Sequence, residues 1–238
     1  KHNIKVKNNK ITIPEKTIQD FLISINVEFI ENYRDVQEID IYIPKYNIGI
    51  EVDGVYWHSE KFRSNDYHIV KTKYFADKGI TILHFWDFEV IKQLDIVQDI
   101  IKSKLGITDK IYARKCVVQD VDVKDARDFC NNNHIQGYSN SSIKKGLYFK
   151  DELVALATFA KPRFDNDHDL ELIRFCSKNG TTVVGGFSKL LSKINSTSIM
   201  SYANLRFSTG NVHEKNGFKY VRTSKPGFFW YHVNTGEI

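Results

Sequence analysis

With 238 residues, 42% of them hydrophobic and 13% aromatic, the chain has length for one large or two ordinary domains and enough apolar surface for a core, which excludes a disordered protein. A formal net charge of +5 and a pI near 8.9 favour polyanionic partners, nucleic acid first. No apolar run approaches the roughly 18 to 20 residues that span a bilayer, and the first residues, K-H-N-I-K-V-K, hold no signal-peptide core, so a soluble, cytoplasmic protein without a membrane partner is expected. Cys116, Cys130 and Cys176 lack C-x-x-C spacing and read as reduced, buried thiols.

In chain order, Pro14 suits the first turn of a helix over residues 15–26. Ile39, Ile41 and Ile43 alternate with polar residues, as do Ile48 and Ile50, which predicts a β-hairpin bent at Pro44 to Asn47. A helix over residues 66–78 follows, with Gly79 as the residue that ends it. Then come a strand over 80–86 and a helix over 90–105, which together predict a mixed α/β layer domain, residues 1–106. After Gly106 the pattern restarts with a strand over 113–120 and a helix over 123–131. A hairpin turning at Lys150 and Asp151 and an α/β stretch over 170–231 complete a second α/β domain, residues 113–238.

The hairpin carries the chemistry. Asp40 lies on its first strand and the triplet Glu51-Val52-Asp53 on its second. A divalent ion needs hard oxygen ligands and must hold a phosphate oxygen and an attacking water together, which two short strands do rigidly. A carboxylate followed by a carboxylate-x-polar triplet is the layout of metal-dependent nucleases of the PD-(D/E)XK type. In isolation the same pattern also fits a hairpin with a polar, solvated face.

The run from Asp40 to His58 resembles the very-short-patch mismatch repair endonucleases, through D-I-Y-I-P, the tail Gly54, Trp57 and His58, and the upstream Pro14, Glu15 and Lys16. It is most similar to the phage-borne homing endonucleases built on that core, which share W-H-S-E from Trp57, Y-H-x-x-K-T from Tyr67 and K-G-I from Lys78. The resemblance implies that Asp40, Glu51 and the Val52 carbonyl hold Mg²⁺ or Mn²⁺. Asp53 stands where the superfamily has lysine and the mismatch-repair branch histidine, so the proton acceptor is open between His58 and His68. Glu15 would hold a metal-bound water or a histidine. Tyr56 and Trp57 would wedge between bases, Tyr56 being the more exposed, while Lys61, Arg63, Lys71 and Lys73 would meet phosphates. Val55, Ser59, Glu60 and Phe62 occupy the places at which mismatch-repair relatives hold a structural zinc, so none is expected.

The second domain resembles the acetyltransferase (GNAT) fold, through the hairpin above, V-V-G-G-F-S-K-L-L from Val183 and H-E-K-N-G-F from His213. Gly185 and Gly186 before a helix could present backbone N–H groups to a pyrophosphate, but the Q/R-x-x-G-x-G/A loop is incomplete. Targeting of DNA, with Arg206 among the basic residues, is the simpler role. The expected function is therefore a site-specific, homing-type endonuclease acting on double-stranded DNA, as a monomer or a homodimer. A catalytically inactive DNA-binding protein and an N-acyltransferase working through the second domain are the alternatives.

Overall fold

The structure is a computed structural model that describes residues 11–55 and 67–224, together with Gly227 and His232. It is mixed α/β and divides into two compact units, the first running to Lys92 and the second beginning at Gln93. Among the described residues no helix is long and apolar enough to cross a membrane.

The first unit opens with α1 (Ile13–Ser24), set by a capping box in which the Thr12 hydroxyl accepts from the Glu15 N–H and the Glu15 carboxylate from the Thr12 N–H. Three antiparallel strands follow, β1 (Ile30–Arg34), β2 (Glu38–Ile43) and β3 (Ile48–Asp53). Between β2 and β3 the chain makes a 3₁₀ turn at Pro44–Tyr46 and exits through Asn47 at φ 51°. Next come α2 (Tyr67–Ala76) and β4 (Thr81–Trp86), which pairs in parallel with β3, giving a four-stranded sheet in the order β1-β2-β3-β4. Gly79, at φ 77°, lets the Ile80 N–H return to the Phe75 carbonyl and turns the chain from α2 into β4. Phe75 of α2 packs on Ile39 of β2 and on Ile80 and Ile82 at β4, so the helix is fixed over the strands on either side of β3. All six residues of β3 are buried, which a strand covered on both faces requires.

The helix expected over 90–105 is two helices, α3 (Asp87–Lys92) and α4 (Leu94–Leu105), broken at Gln93 (φ −136°). The Glu89 carboxylate accepts from the Trp86 N–H, so α3 starts directly at the end of β4. The second helix belongs to the second unit, where Asp99 accepts a hydrogen bond from the Gly180 N–H. Sequence periodicity runs on through Gln93, and only the packing partners reveal the break.

The second unit continues with β5 (Asp109–Tyr112), β6 (Val117–Asp120), α5 (Val123–Asn133), β7 (Ile143–Phe149), β8 (Glu152–Ala160), β9 (Leu170–Ser177), β10 (Thr181–Val184), α6 (Gly186–Leu191), β11 (Ile199–Ser201) and α7 (Asn211–Glu214). The strand expected over 113–120 thus becomes β5 and β6, with a 3₁₀ turn between them. β5 pairs in parallel with β10, while the main sheet runs β11-β9-β8-β7-β6. Lys150 and Asp151, at φ 51° and 66°, make the two-residue turn of the β7–β8 hairpin. Alternate residues of β8 feed two cores, Leu156 with Ala126 and Cys130 of α5, and Ala155, Ala157 and Phe159 with Phe187 and Leu190 of α6. Cys116, Cys130 and Cys176 are buried free thiols. A Cβ on Gly186 would stand 3.1 Å from Val183 and 3.3 Å from Leu147, so close packing accounts for this glycine without a ligand.

Candidate active site

The antiparallel pairing of β2 and β3 brings Asp40 beside Glu51 and Val52, and each strand grips the other's carboxylate. The Asp40 N–H donates to Glu51 Oε1 at 3.2 Å, and the Val52 N–H donates to Asp40 Oδ2 at 2.9 Å. Glu51 is 5% exposed and its Oε2 accepts from the ammonium of Lys71, itself 5% exposed and delivered by α2. Burial pushes the Asp40 carboxyl up to about 6, against the pull of the Val52 N–H and the Lys71 charge. Burial, then the Asp40 charge, push Glu51 up to about 8 although Lys71 pulls it down. The ion pair and the raised value point opposite ways for Glu51. Desolvation wins because one ammonium serves a pocket that holds two carboxylates.

Two residues along β3, Asp53 accepts from or shares a proton with His84 of β4, Oδ2 to Nδ1 at 2.9 Å. The other ring nitrogen of His84 bonds the Thr72 hydroxyl at 2.8 Å, and His68 Nδ1 stands 3.6 Å from Asp53 Oδ1. The His68 and His84 rings meet edge to face at 5.3 Å, and His68 also lies edge-on to Trp86 at 6.0 Å. His68 and Thr72 are one helical turn apart, so a single face of α2 presents His68, Thr72 and Lys71 to the strand ends. Asp53 raises both the Asp40 and Glu51 values through its charge, which places the two clusters within electrostatic reach of one another.

No known protein family matches this chain, and no curated protein matches it. Among solved structures the chain is similar to the catalytic domain of the homing endonuclease I-Bth0305I, at 24% identity and a TM-score of 0.36, over 40% of this chain and 95% of that domain.

Of the residues singled out in the sequence, Asp40, Glu51, Val52, Asp53 and His68 come together at the strand ends. What the structure shows of Val52 is its N–H donating to Asp40. Lys71, expected to meet phosphate, is instead buried against Glu51, because the strand pair leaves an uncompensated carboxylate under α2. The Glu15 carboxylate, expected to hold a water or a histidine, closes the N-terminal turn of α1, while its charge still raises the Asp40 value. Lys73 is exposed on α2. Arg206 lies in the second unit, half-buried, with its guanidinium 4.7 Å from the Phe207 ring centroid. Tyr56, Trp57, His58, Ser59, Glu60, Lys61, Phe62 and Arg63 lie outside the described residues. Sequence reasoning missed His84 and Thr72. The signal for His84 was a lone imidazole inside the apolar strand T-I-L-H-F-W, where a polar ring needs partners from a neighbouring element.

Proposed function

We propose that this protein is a divalent-metal-dependent endonuclease acting on double-stranded DNA, of the homing type, with its chemistry at the β2–β3 strand ends. The observation that carries the reading is the Asp40–Glu51 pair, two carboxylates held side by side on adjacent strands at raised pKa. Such a pair resists full ionisation in the protein alone and gains from a cation that replaces the retained proton. Its donors are hard oxygens, which suit Mg²⁺ or Mn²⁺. Oδ1 of Asp40 has no hydrogen bond among the described residues. Asp40 and Glu51 would hold the ion, with the Val52 carbonyl as a backbone ligand. When bound, the ion supplies Lewis-acid polarisation of the scissile phosphate and an acidified water.

Lys71 orients Glu51 and brings from a helix the positive charge that the PD-(D/E)XK triplet carries in its lysine, where this chain has Asp53. A histidine, His58 or His68, takes the proton of the attacking water. The second unit adds contacts to DNA away from the cut, with Arg206 among them, and so narrows the choice of site.

The test is cleavage of a DNA library by the full chain with and without Mg²⁺. Asp40→Asn is expected to lower the cleavage rate by about a hundredfold or more while binding stays within a few fold, because affinity comes from basic and groove contacts. Binding without metal-dependent cutting of any DNA would make the protein an inactive DNA-binding protein instead.

A further inference from the structure

Asp53, His68 and His84 each offer one donor atom, and the three atoms lie within 4.8 Å of one another. Asp53 Oδ2 stands 2.9 Å from Nδ1 of His84, and Asp53 Oδ1 stands 3.6 Å from Nδ1 of His68. Two donors on one tetrahedral ion, each about 2.0–2.2 Å from it, stand roughly 3.3–3.6 Å apart. Closing the set from within 4.8 Å takes side-chain rotation, chiefly of half-buried His68.

The surroundings are built as ligand surroundings usually are. A metal-binding imidazole is commonly oriented by a hydrogen bond on its other nitrogen. Thr72 makes that bond to Nε2 of His84 and turns Nδ1 toward Asp53. The three donors come from three elements, β3, α2 and β4, fixed by the parallel β3–β4 pairing and by Phe75 in the core beneath α2. A buried aspartate that only needed a hydrogen-bonding partner is served by His84. His68 brings a second imidazole to the same carboxylate, its ring edge to face with that of His84.

We infer that Asp53, His68 and His84 form a binding site for a divalent transition-metal ion of the zinc type, separate from the all-oxygen Asp40–Glu51 pair. Two imidazoles and one carboxylate favour Zn²⁺ or Co²⁺ over Mg²⁺, and three protein donors leave a fourth position for water. The site stands whether or not the protein cuts DNA. The expectation of no structural zinc rested on Val55, Ser59, Glu60 and Phe62, and the proposed site lies at other residues. With His68 in the ligand set, His58 becomes the proton acceptor of the proposed nuclease.

The full chain, stripped with a chelator and titrated with Zn²⁺ by calorimetry, is expected to bind one zinc per chain, retained through gel filtration by elemental analysis. Co²⁺ in its place is expected to give the visible absorption of a four-coordinate ion with nitrogen and oxygen donors. His68→Ala and His84→Ala should each weaken zinc binding at least tenfold, and Thr72→Val about tenfold through the lost orienting bond. Asp40→Asn should keep the stoichiometry. Because His84 is buried, circular dichroism accompanies each variant, and His68→Ala with Thr72→Val carries the test if His84→Ala does not fold. Failure of the wild type to retain zinc would show a hydrogen-bonded cluster only, and overturn the site. So would zinc retained unchanged in His68→Ala, or zinc lost in Asp40→Asn, which would assign the ion to the carboxylate pair.

Discussion

At the scale of single residues the two raised carboxyls set the pH response. Asp40 and Glu51 titrate near about 6 and about 8 in the folded chain, above their ordinary values of 3.8 and 4.5. Between those limits the folded state binds more protons than the unfolded one, so without metal the fold loses stability as pH rises from about 4 to 8. Urea titrations at pH 5 and pH 8 should show the lower midpoint at pH 8. Added Mg²⁺ should recover more at pH 8 than at pH 5, since the ion competes with the proton. Equal midpoints at both pH values would remove the basis for reading this pair as a cation site. Lys71→Ala leaves Glu51 buried without its ammonium, and its cost should reach about 3–5 kcal/mol at pH 8. At pH 5 the loss should be smaller because Glu51 can protonate, so the difference between the two pH values reports the ion pair itself.

At the scale of elements, the strand that carries Glu51 and Asp53 is squeezed between its neighbours. A Cβ on Gly49 of β3 would come within 2.5 Å of Ile82 Cδ1 on β4 and 3.0 Å of Ile39 Cγ2 on β2. Gly49→Ala is expected to cost about 1–3 kcal/mol, since an added methyl must push apart strands that are already packed. The shift would also tilt Glu51 away from Asp40, so metal affinity should fall with stability. A thermal melt combined with Mg²⁺ titration checks both, and a variant as stable as the parent would mean that Ile82 simply rotates away. The β7–β8 hairpin offers the opposite change. Lys150 and Asp151 both sit at positive φ, a conformation that side chains with a Cβ resist by about 1–2 kcal/mol. Replacing the pair with Asn-Gly should raise the urea midpoint, by up to about 1 kcal/mol of stability.

At the scale of the whole molecule the consequential finding is the place of α4. Its buried Ile96, Val97, Ile101 and Leu105, and the Asp99–Gly180 bond, group it with the sheet that follows. A fragment of residues 93–225 should therefore unfold cooperatively, whereas residues 107–225 should bind a hydrophobic dye and melt without a sharp transition. Two equally cooperative fragments would show that α4 adds nothing to the second unit.

The sequence by itself determined the β2–β3 hairpin, the helix and strand that follow it, and the carboxylate layout, because these are written in short-range signals. Period-two isoleucines mark the hairpin, Pro14 marks the first turn of α1, and Gly79 marks the end of α2. Asp40 and the Glu51-Val52-Asp53 triplet were legible for the same reason, since one hairpin brings them together. The break at Gln93, the burial of Lys71 and the meeting of His68, Thr72 and His84 on Asp53 were decided only by the tertiary structure. Lys71 is 20 residues from Glu51 and His84 is 31 from Asp53. Neither contact has a local pattern. Each exists because α2 is docked by Phe75 over a sheet in which β4 runs parallel to β3, and because a buried charge draws whichever partner that docking brings within reach.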